Sequence, residues 1–528
     1  MYQVYIRSFA DGNGDGTGDI AGLRSRLPYL RGLGVDAVWV NPWYESPLHD
    51  GGYDVADYRQ IDPRFGTLDE ATEFIAEAGR QGIRVLVDLV PNHTSWDHPW
   101  FREALAAGPG SEARRRYHFL PGRGRDGELP PNDWRAVFGG SAWERVDDGE
   151  WYLHLFDVSQ PDLDWTHPEV RDHMRDVLRF WLDRGAAGFR VDVAYALTKH
   201  PDYPDVGDEG ETRQRAGDLA NHPYWDRDDL HEIVRDWRRI LDGYADTMMV
   251  AEAWVTDWER LARYVRPDEY HQAFDFDFLE SPWDPAAMRA AVERALAGAG
   301  SVGSVPTWVL SNHDVVRHAT RYGLPQDVVA KDWLLRGDRA LLDPELGLRR
   351  ARAAALLMLA LPGSVYLYQG EELGLGEVHD LPLDVLDDPI WVRSDHTEKG
   401  RDGCRVPIPW TPSRPSFGFG DDGAWLPQPD WFGPLAVAAQ EGKAGSTLEL
   451  YRSALHLRRE WLVEDEKLEW LDLGDEVLAF RRGSDVACVV NFGAHPAPLP
   501  AGEVLLTSNP LLTSTPLPPD TAAWIRVS

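Results

Sequence analysis

The sequence predicts an α/β protein: a (β/α)8 TIM barrel with an inserted subdomain after the third strand and a C-terminal antiparallel β-domain. Three observations point there. Eight strand-like runs alternate with helical ones. Chemistry-bearing residues recur at the ends of several different strands, as they do on the C-terminal face of a barrel. The chain has 528 residues, more than one core needs, which leaves room for appendages. An open doubly wound sheet is the alternative, but the count of eight and the spread of chemistry favour the barrel.

The strand candidates are 2–9, 37–42, 84–91, 188–193, 248–254, 272–278, 307–314 and 364–370. Between them, GDIAGLRSRLPYLRGLG, LDEATEFIAEAGRQG and PEVRDHMRDVLRFWLDRG repeat apolar residues at helical spacing and close on Gly. Two connections are too long for simple loops. Residues 94–160 hold Gly/Pro/Arg-rich turns and short strands, and are expected to form the inserted subdomain between the barrel parts 1–93 and 161–456. Residues 371–445, rich in Pro, Gly and Trp, form an excursion after the eighth strand. Residues 198–228 are polar and read as a loop. From 457 to 528, five short alternating runs separated by Gly, Asp and Pro predict the β-domain.

Composition narrows the partners. A formal net charge of −33 argues against nucleic acid and anionic membranes, both of which need a basic surface. No uncharged apolar run of about 18 residues occurs, so no transmembrane helix is expected. MYQVYIRSFADG lacks a basic n-region and an apolar h-region, so no signal peptide is expected. It opens directly on a core strand, which leaves room for native residues upstream. Two cysteines, Cys404 and Cys488, suit a reducing compartment and a cytoplasmic location. No organic cofactor is implied.

In GFRVDVAYAL, Arg190 and Asp192 lie two apart on a strand and so face the same way. Buried charges are costly unless paired or used, so this pair is a functional candidate. Other strand ends carry Asp88, Asn92 and His93, then Glu252, then Asn312, His313 and Asp314. A single strand-end Asp is commonly a cap; three carboxylates at three ends, with Arg and two His alongside, argue for a site.

DLVPNHTS, GFRVDV, AEAW and LSNHD resemble, in order and spacing, four motifs of the α-amylase family of glycoside hydrolases. QPDLDW, the opening YQVYIRSFADGNGDGTGDI, GGYDVADY and RDGCRVPIPW are similar to its α-glucosidase and oligo-1,6-glucosidase branch. The resemblance covers nearly the whole chain. It implies Asp192 as nucleophile, Glu252 as general acid/base and Asp314 as the third carboxylate, which holds sugar hydroxyls. Retention of configuration needs two such carboxyl groups about 5–5.5 Å apart. Arg190 is expected to keep Asp192 ionised, while Glu252 must carry a proton, which an apolar wall and nearby negative charge favour. His93 and His313 match histidines that bond the same glucose. Asp50, Tyr53 and Arg401, with Arg405 as a rival, match residues that close the site around one non-reducing glucose. Phe138, Trp143 and Phe156 of the inserted segment are aromatics of a kind more often found in a core than over the next sugar, and they carry no assignment.

DGNGDGTGD places oxygen side chains at Asp11, Asn13, Asp15 and Asp19, with a Thr17 carbonyl to complete the set. The spacing resembles an EF-hand-like loop, and related enzymes hold a structural calcium or magnesium ion there. Three features depart from the branch: Asp164 stands where Asn is usual, RVPIPW replaces RTPMQW, and Tyr195 occupies a variable position.

The resemblance therefore implies an exo-acting retaining α-glucosidase. It would release glucose from short malto- or isomalto-oligosaccharides and transfer glucose to other hydroxyls. A disaccharide isomerase or glucosyltransferase, such as a trehalose or isomaltulose synthase, shares these motifs. A non-catalytic transporter-associated ectodomain would have lost the carboxylates, and this chain keeps all three.

Overall fold

A computed structural model describes residues 1–207, 222–255, 257–462, 467–483, 485–509 and 516–527. Part of the loop expected at 198–228 therefore lies outside the described residues.

Among the described residues, eight parallel strands form one sheet: β1 (Tyr2–Val4), β2 (Ala37–Val40), β3 (Arg84–Leu89), β4 (Gly188–Val191), β5 (Met248–Ala251), β6 (Gln272–Ala273), β7 (Thr307–Val309) and β8 (Ser364–Tyr368). Their order is β6-β5-β4-β3-β2-β1-β8-β7. The barrel closes between β6 and β7 by a backbone hydrogen bond from Asp275 N to Thr307 O, 3.3 Å, rather than by a ladder.

The helices outside the barrel follow their sequence pattern. Leu68–Arg80 begins with a capping box between Thr67 and Glu70 and buries Ala71, Phe74, Ile75 and Ala78, one face at i, i+3, i+4, i+7. Pro168–Leu182 likewise buries Val170, Met174, Val177, Leu178 and Trp181.

Two strand candidates are shorter than their alternation suggests. QAFDFDF yields only Gln272–Ala273, because the Asp275 side chain accepts from Phe278 N and caps the helix Phe276–Glu280. YQVYIRSF stops at Val4, and Ile6–Ser8 form a 3-10 turn.

After β3 the chain builds the helix Pro99–Ala107 and a small antiparallel sheet of Phe119–Pro121, Trp143–Arg145 and Glu150–Leu153. Buried Lys199, from the connection after β4, ties together the chain on either side of this insertion. Its ammonium lies 2.7 Å from Asp162, 2.7 Å from Asn92 Oδ1 and 2.6 Å from Ala196 O.

The helix Thr447–Trp461 runs through the boundary expected at 457, so the β-domain starts later, at Leu468–Leu471. Amphipathic periodicity in LYRSALHLRREW continues past that point, and the strands begin only after it. The β-domain strands pair antiparallel and rest on the helix Pro344–Ala360: Trp524 Nε1 donates to Leu356 O (3.0 Å) and Arg482 Nη1 to Ala360 O (2.7 Å).

Candidate active site

Strand geometry delivers the acidic groups to one place. Asp192 and Glu252 each follow the last residue of their strand, and Asp314 lies a few residues beyond β7. Arg190, within β4, aims its guanidinium at the centre of this cluster. Its Nη1 donates to Asp192 Oδ1 (2.7 Å) and Asp88 Oδ1 (3.0 Å), and its Nη2 to Glu252 Oε2 (2.7 Å). Arg190 thus holds both Asp192 and Glu252, not Asp192 alone. The two amino groups of one guanidinium are neighbours, so one cation brings the carboxyls of Asp192 and Glu252 to the same place.

Glu252 receives three donors. Val193 N (3.1 Å) joins Arg190 on Oε2, and Trp254 Nε1 donates to Oε1 (3.0 Å). Val193 reaches it with φ 43°. A β-branched residue in the left-handed region is an outlier costing about 1–3 kcal/mol, a strain typical of functional sites.

Burial pushes Asp192 well above the usual carboxylate range; Arg190 opposes this, and the charges of Glu252 and Asp88 add to it. One cation is shared among three buried acids, so Arg190 offsets only part of the effect of burial on Asp192. Burial likewise raises Asp88 to about 6 against the pull of Arg190.

A second cation network forms the pocket floor. Arg401 Nη2 meets Asp50 Oδ1 at 2.6 Å, and its Nη1 meets Asp314 Oδ1 at 3.0 Å. Arg405 donates to Asp314 (3.0 Å) and to His313 O (2.8 Å). Of the two rivals, Arg401 is the one on Asp50. Burial would raise Asp314, yet it is held far below its ordinary value. The two arginines account for this better than His313, which burial keeps neutral. Burial lifts Asp50 to about 6 despite Arg401 and Arg405.

Tyr53 stacks on His313 (5.3 Å between centroids, 11°) and its hydroxyl donates to Asp88 (2.9 Å). Gln3 donates to His313 Nδ1 (2.7 Å), which places the ring proton on Nε2, facing Asp314 at 3.2 Å. His93 engages protein with both nitrogens: Nε2 with Tyr53 O (3.1 Å) and Nδ1 with Asn92 (3.2 Å). A sugar hydroxyl must compete for either. Burial drops His93 to about 4, so it is neutral.

Phe138 lies under Arg401 (5.1 Å) and Phe156 against His93 (5.3 Å), so both wall the pocket; Trp143 packs on Trp134 in the subdomain core. Asp164 Oδ1 accepts from Thr166 N (2.9 Å) and belongs to a turn.

Trp254 and three further participants carried no assignment from the sequence. Gln3 had a signal, an amide inside the otherwise apolar YQVYI. Gln160, whose Nε2 donates to Asp50 (3.0 Å), lies inside QPDLDW. Asp388 is one acid among 87 and had none.

In the glycine-rich loop, Asp11 accepts from Asn13 N (3.1 Å), Gly14 N (2.6 Å) and Gly16 N (2.8 Å). Asp19 accepts from Gly12 N, Asn13 N and Gly22 N and caps the helix Ile20–Ser25. Asp15 accepts from Thr17 N (2.8 Å). Among the described residues, no cluster of three or more His, Cys, Asp or Glu is gathered as metal ligands. The donor chemistry, all hard oxygen, suits calcium, while the carboxylates are turned onto backbone N–H groups.

Residues 3–465 match the family described as "Alpha amylase, catalytic domain", and 468–524 match a domain of unknown function, DUF3459. A probable α-glucosidase of Rhizobium meliloti is 36% identical over 94% of this chain and 89% of its own length. An oligo-1,6-glucosidase of Heyndrickxia coagulans is 33% identical over 88% of this chain and 85% of its own. Among solved structures, an α-glucosyl transfer enzyme, XgtA, superposes with TM-score 0.85 at 33% identity over 99% and 98% of the two chains. The trehalulose synthase MutB from Pseudomonas mesoacidophila superposes with TM-score 0.87 at 28% identity over 100% and 98%. The chain belongs to the α-amylase family of glycoside hydrolases.

Proposed function

We propose that the protein is an exo-acting, retaining α-glucosidase that takes the non-reducing glucose of short α-glucosides. The observation that carries this reading is the joint grip of Arg190 on Asp192 and Glu252, beside a floor closed by the Asp50–Arg401 pair. One cation holds both carboxyls beside each other at the mouth of the barrel. Such a pair suits a reaction in which one carboxylate attacks while the other donates a proton. Asp192, on the strand that carries Arg190, attacks the anomeric carbon; Glu252, steadied by Trp254 and Val193, protonates the leaving oxygen. Water or another hydroxyl, deprotonated by Glu252, then releases the glucosyl group from Asp192. Asp314, held ionised by Arg401 and Arg405, takes sugar hydroxyls. The Asp50–Arg401 bridge stops the chain from extending past one glucose.

The reading is tested with maltose, isomaltose, sucrose and soluble starch, following glucose and its anomer. Release of α-glucose from the disaccharides with little internal scission of starch is expected. Rapid shortening of starch, or β-glucose as first product, would overturn it. Because the synthase superposes so closely, sucrose converted into an isomeric disaccharide without free glucose would replace hydrolysis by isomerisation.

We also propose a structural calcium, or magnesium, ion at Asp11, Asn13, Asp15, Thr17 and Asp19. A chelator is expected to lower Tm and added calcium to restore it; an unchanged Tm removes the site. Cys404 and Cys488 are free and buried, which supports a cytoplasmic location. Among the described residues, no helix is long and apolar enough to cross a membrane.

A further inference from the structure

Arg401 makes its contacts to the pocket from a loop, and a free guanidinium on a flexible stem would not hold such a bridge. What aims it is a single buried carboxylate. Asp388 Oδ2 accepts from Arg401 Nε (2.7 Å) and from the Arg401 backbone N (2.6 Å), and Oδ1 accepts from Nη2 (3.0 Å). The fork is bidentate, and it leaves the outer N–H groups pointing at Asp50 and Asp314.

Asp388 is itself fixed. Its side chain accepts from Ile390 N (3.0 Å) and caps the helix Pro389–Arg393, while its backbone N donates to Asp402 Oδ2 (3.0 Å). At the end of that helix, Arg393 donates to Gly139 O (3.2 Å) of the inserted subdomain. The approach of the two loop arms is close enough that a Cβ on Gly400, φ +80°, would lie 2.8 Å from the Asp388 Cβ.

We propose that Asp388 is a positioning residue: acting through Arg401, it sets the pocket's grip on the terminal glucose. The proposal rests on the glucosidase reading above. Among the described residues, the ion pair of Asp388 is with Arg401 and its bonds do not include the reacting carboxyls. Its removal should therefore weaken binding of the terminal glucose more than it slows bond cleavage.

The test is steady-state kinetics on maltose with the full-length protein and four variants: Asp388→Asn, Asp388→Ser, Arg401→Lys and the Asp388→Asn/Arg401→Lys double. Asn and Ser both keep an acceptor for the helix cap but lose the fork, so at least one is expected to fold. For either, KM should rise about tenfold or more, with kcat changing several-fold less, since a misplaced positioning group costs up to about a hundredfold. The double variant should be little worse than Arg401→Lys alone, because the two residues act as one unit. Unchanged KM in a folded Asp388 variant, or additive losses in the double, would overturn the proposal. Failure of the wild type to release glucose from maltose would instead remove the reading beneath it.

Discussion

At the residue scale, the site is an exercise in sharing too little positive charge among too many acids. Arg190 faces Asp88, Asp192 and Glu252, and Arg401 faces Asp50, Asp314 and Asp388. Burial raises Asp192 and Asp50, while Asp314 sits between two arginines and stays ionised. Glu252→Gln is expected to lower kcat on maltose by about a hundredfold to ten-thousandfold. The loss in kcat/KM, which reports the first bond cleavage and not release from Asp192, should be far smaller on an α-glucoside whose leaving group needs no proton, such as the fluoride. Equal losses on both substrates would remove Glu252 as the acid. Asp192→Asn should abolish turnover of both, because the attacking oxygen is lost in each.

At the element scale, the connections matter more than the strands. The Lys199–Asp162 pair is wholly buried and links the turn after β4 to the chain just past the inserted subdomain. Lys199→Met strands a buried carboxylate and is expected to cost about 3–5 kcal/mol, and Lys199→Met/Asp162→Leu to recover much of it. Denaturant unfolding measures both, and a double variant no better than the single would sink the account.

The turn after β8 holds Glu371, which accepts from Tyr451 OH (3.0 Å) and Tyr368 N (3.2 Å). Burial raises it to about 8. Unfolded, a glutamate releases its proton near 4.5; folded, it keeps it to about 8. Its contribution to stability is therefore present below the lower value and is lost as pH rises through that window. Relative to wild type, Glu371→Gln should gain stability as pH rises from 5 to 8, at about 1 kcal/mol per pH unit. A flat difference across the range would show that Glu371 is ionised in the fold.

At the scale of the whole molecule, a net charge of −33 repels itself. Screening shortens that repulsion to a Debye length of about 8 Å at 0.15 M salt, against about 30 Å at 0.01 M. Tm is expected to rise over that change in sodium chloride. A fall would mean that surface ion pairs, such as Arg123–Asp205 and Arg414–Asp430, outweigh the global term.

The sequence by itself determined the barrel, its insertion and its β-tail, because period-2 and period-3.6 patterns are local. It also pointed to Asp192, Glu252 and Asp314, since a strand end tells which face of the barrel a residue serves. Where a cap interrupts an alternation, as Asp275 does in QAFDFDF, the pattern overstated the strand. Only the tertiary structure decided which charges meet. Arg401 and Asp50 are 351 positions apart in the chain, and Gln3 and His313 are 310 apart. Nothing in either segment records the other, because such pairing follows from closing the barrel and folding the loop after β8 across its mouth. The same closure makes one arginine serve three carboxyls drawn from three strands, an arrangement that belongs to the assembled site and not to any one strand.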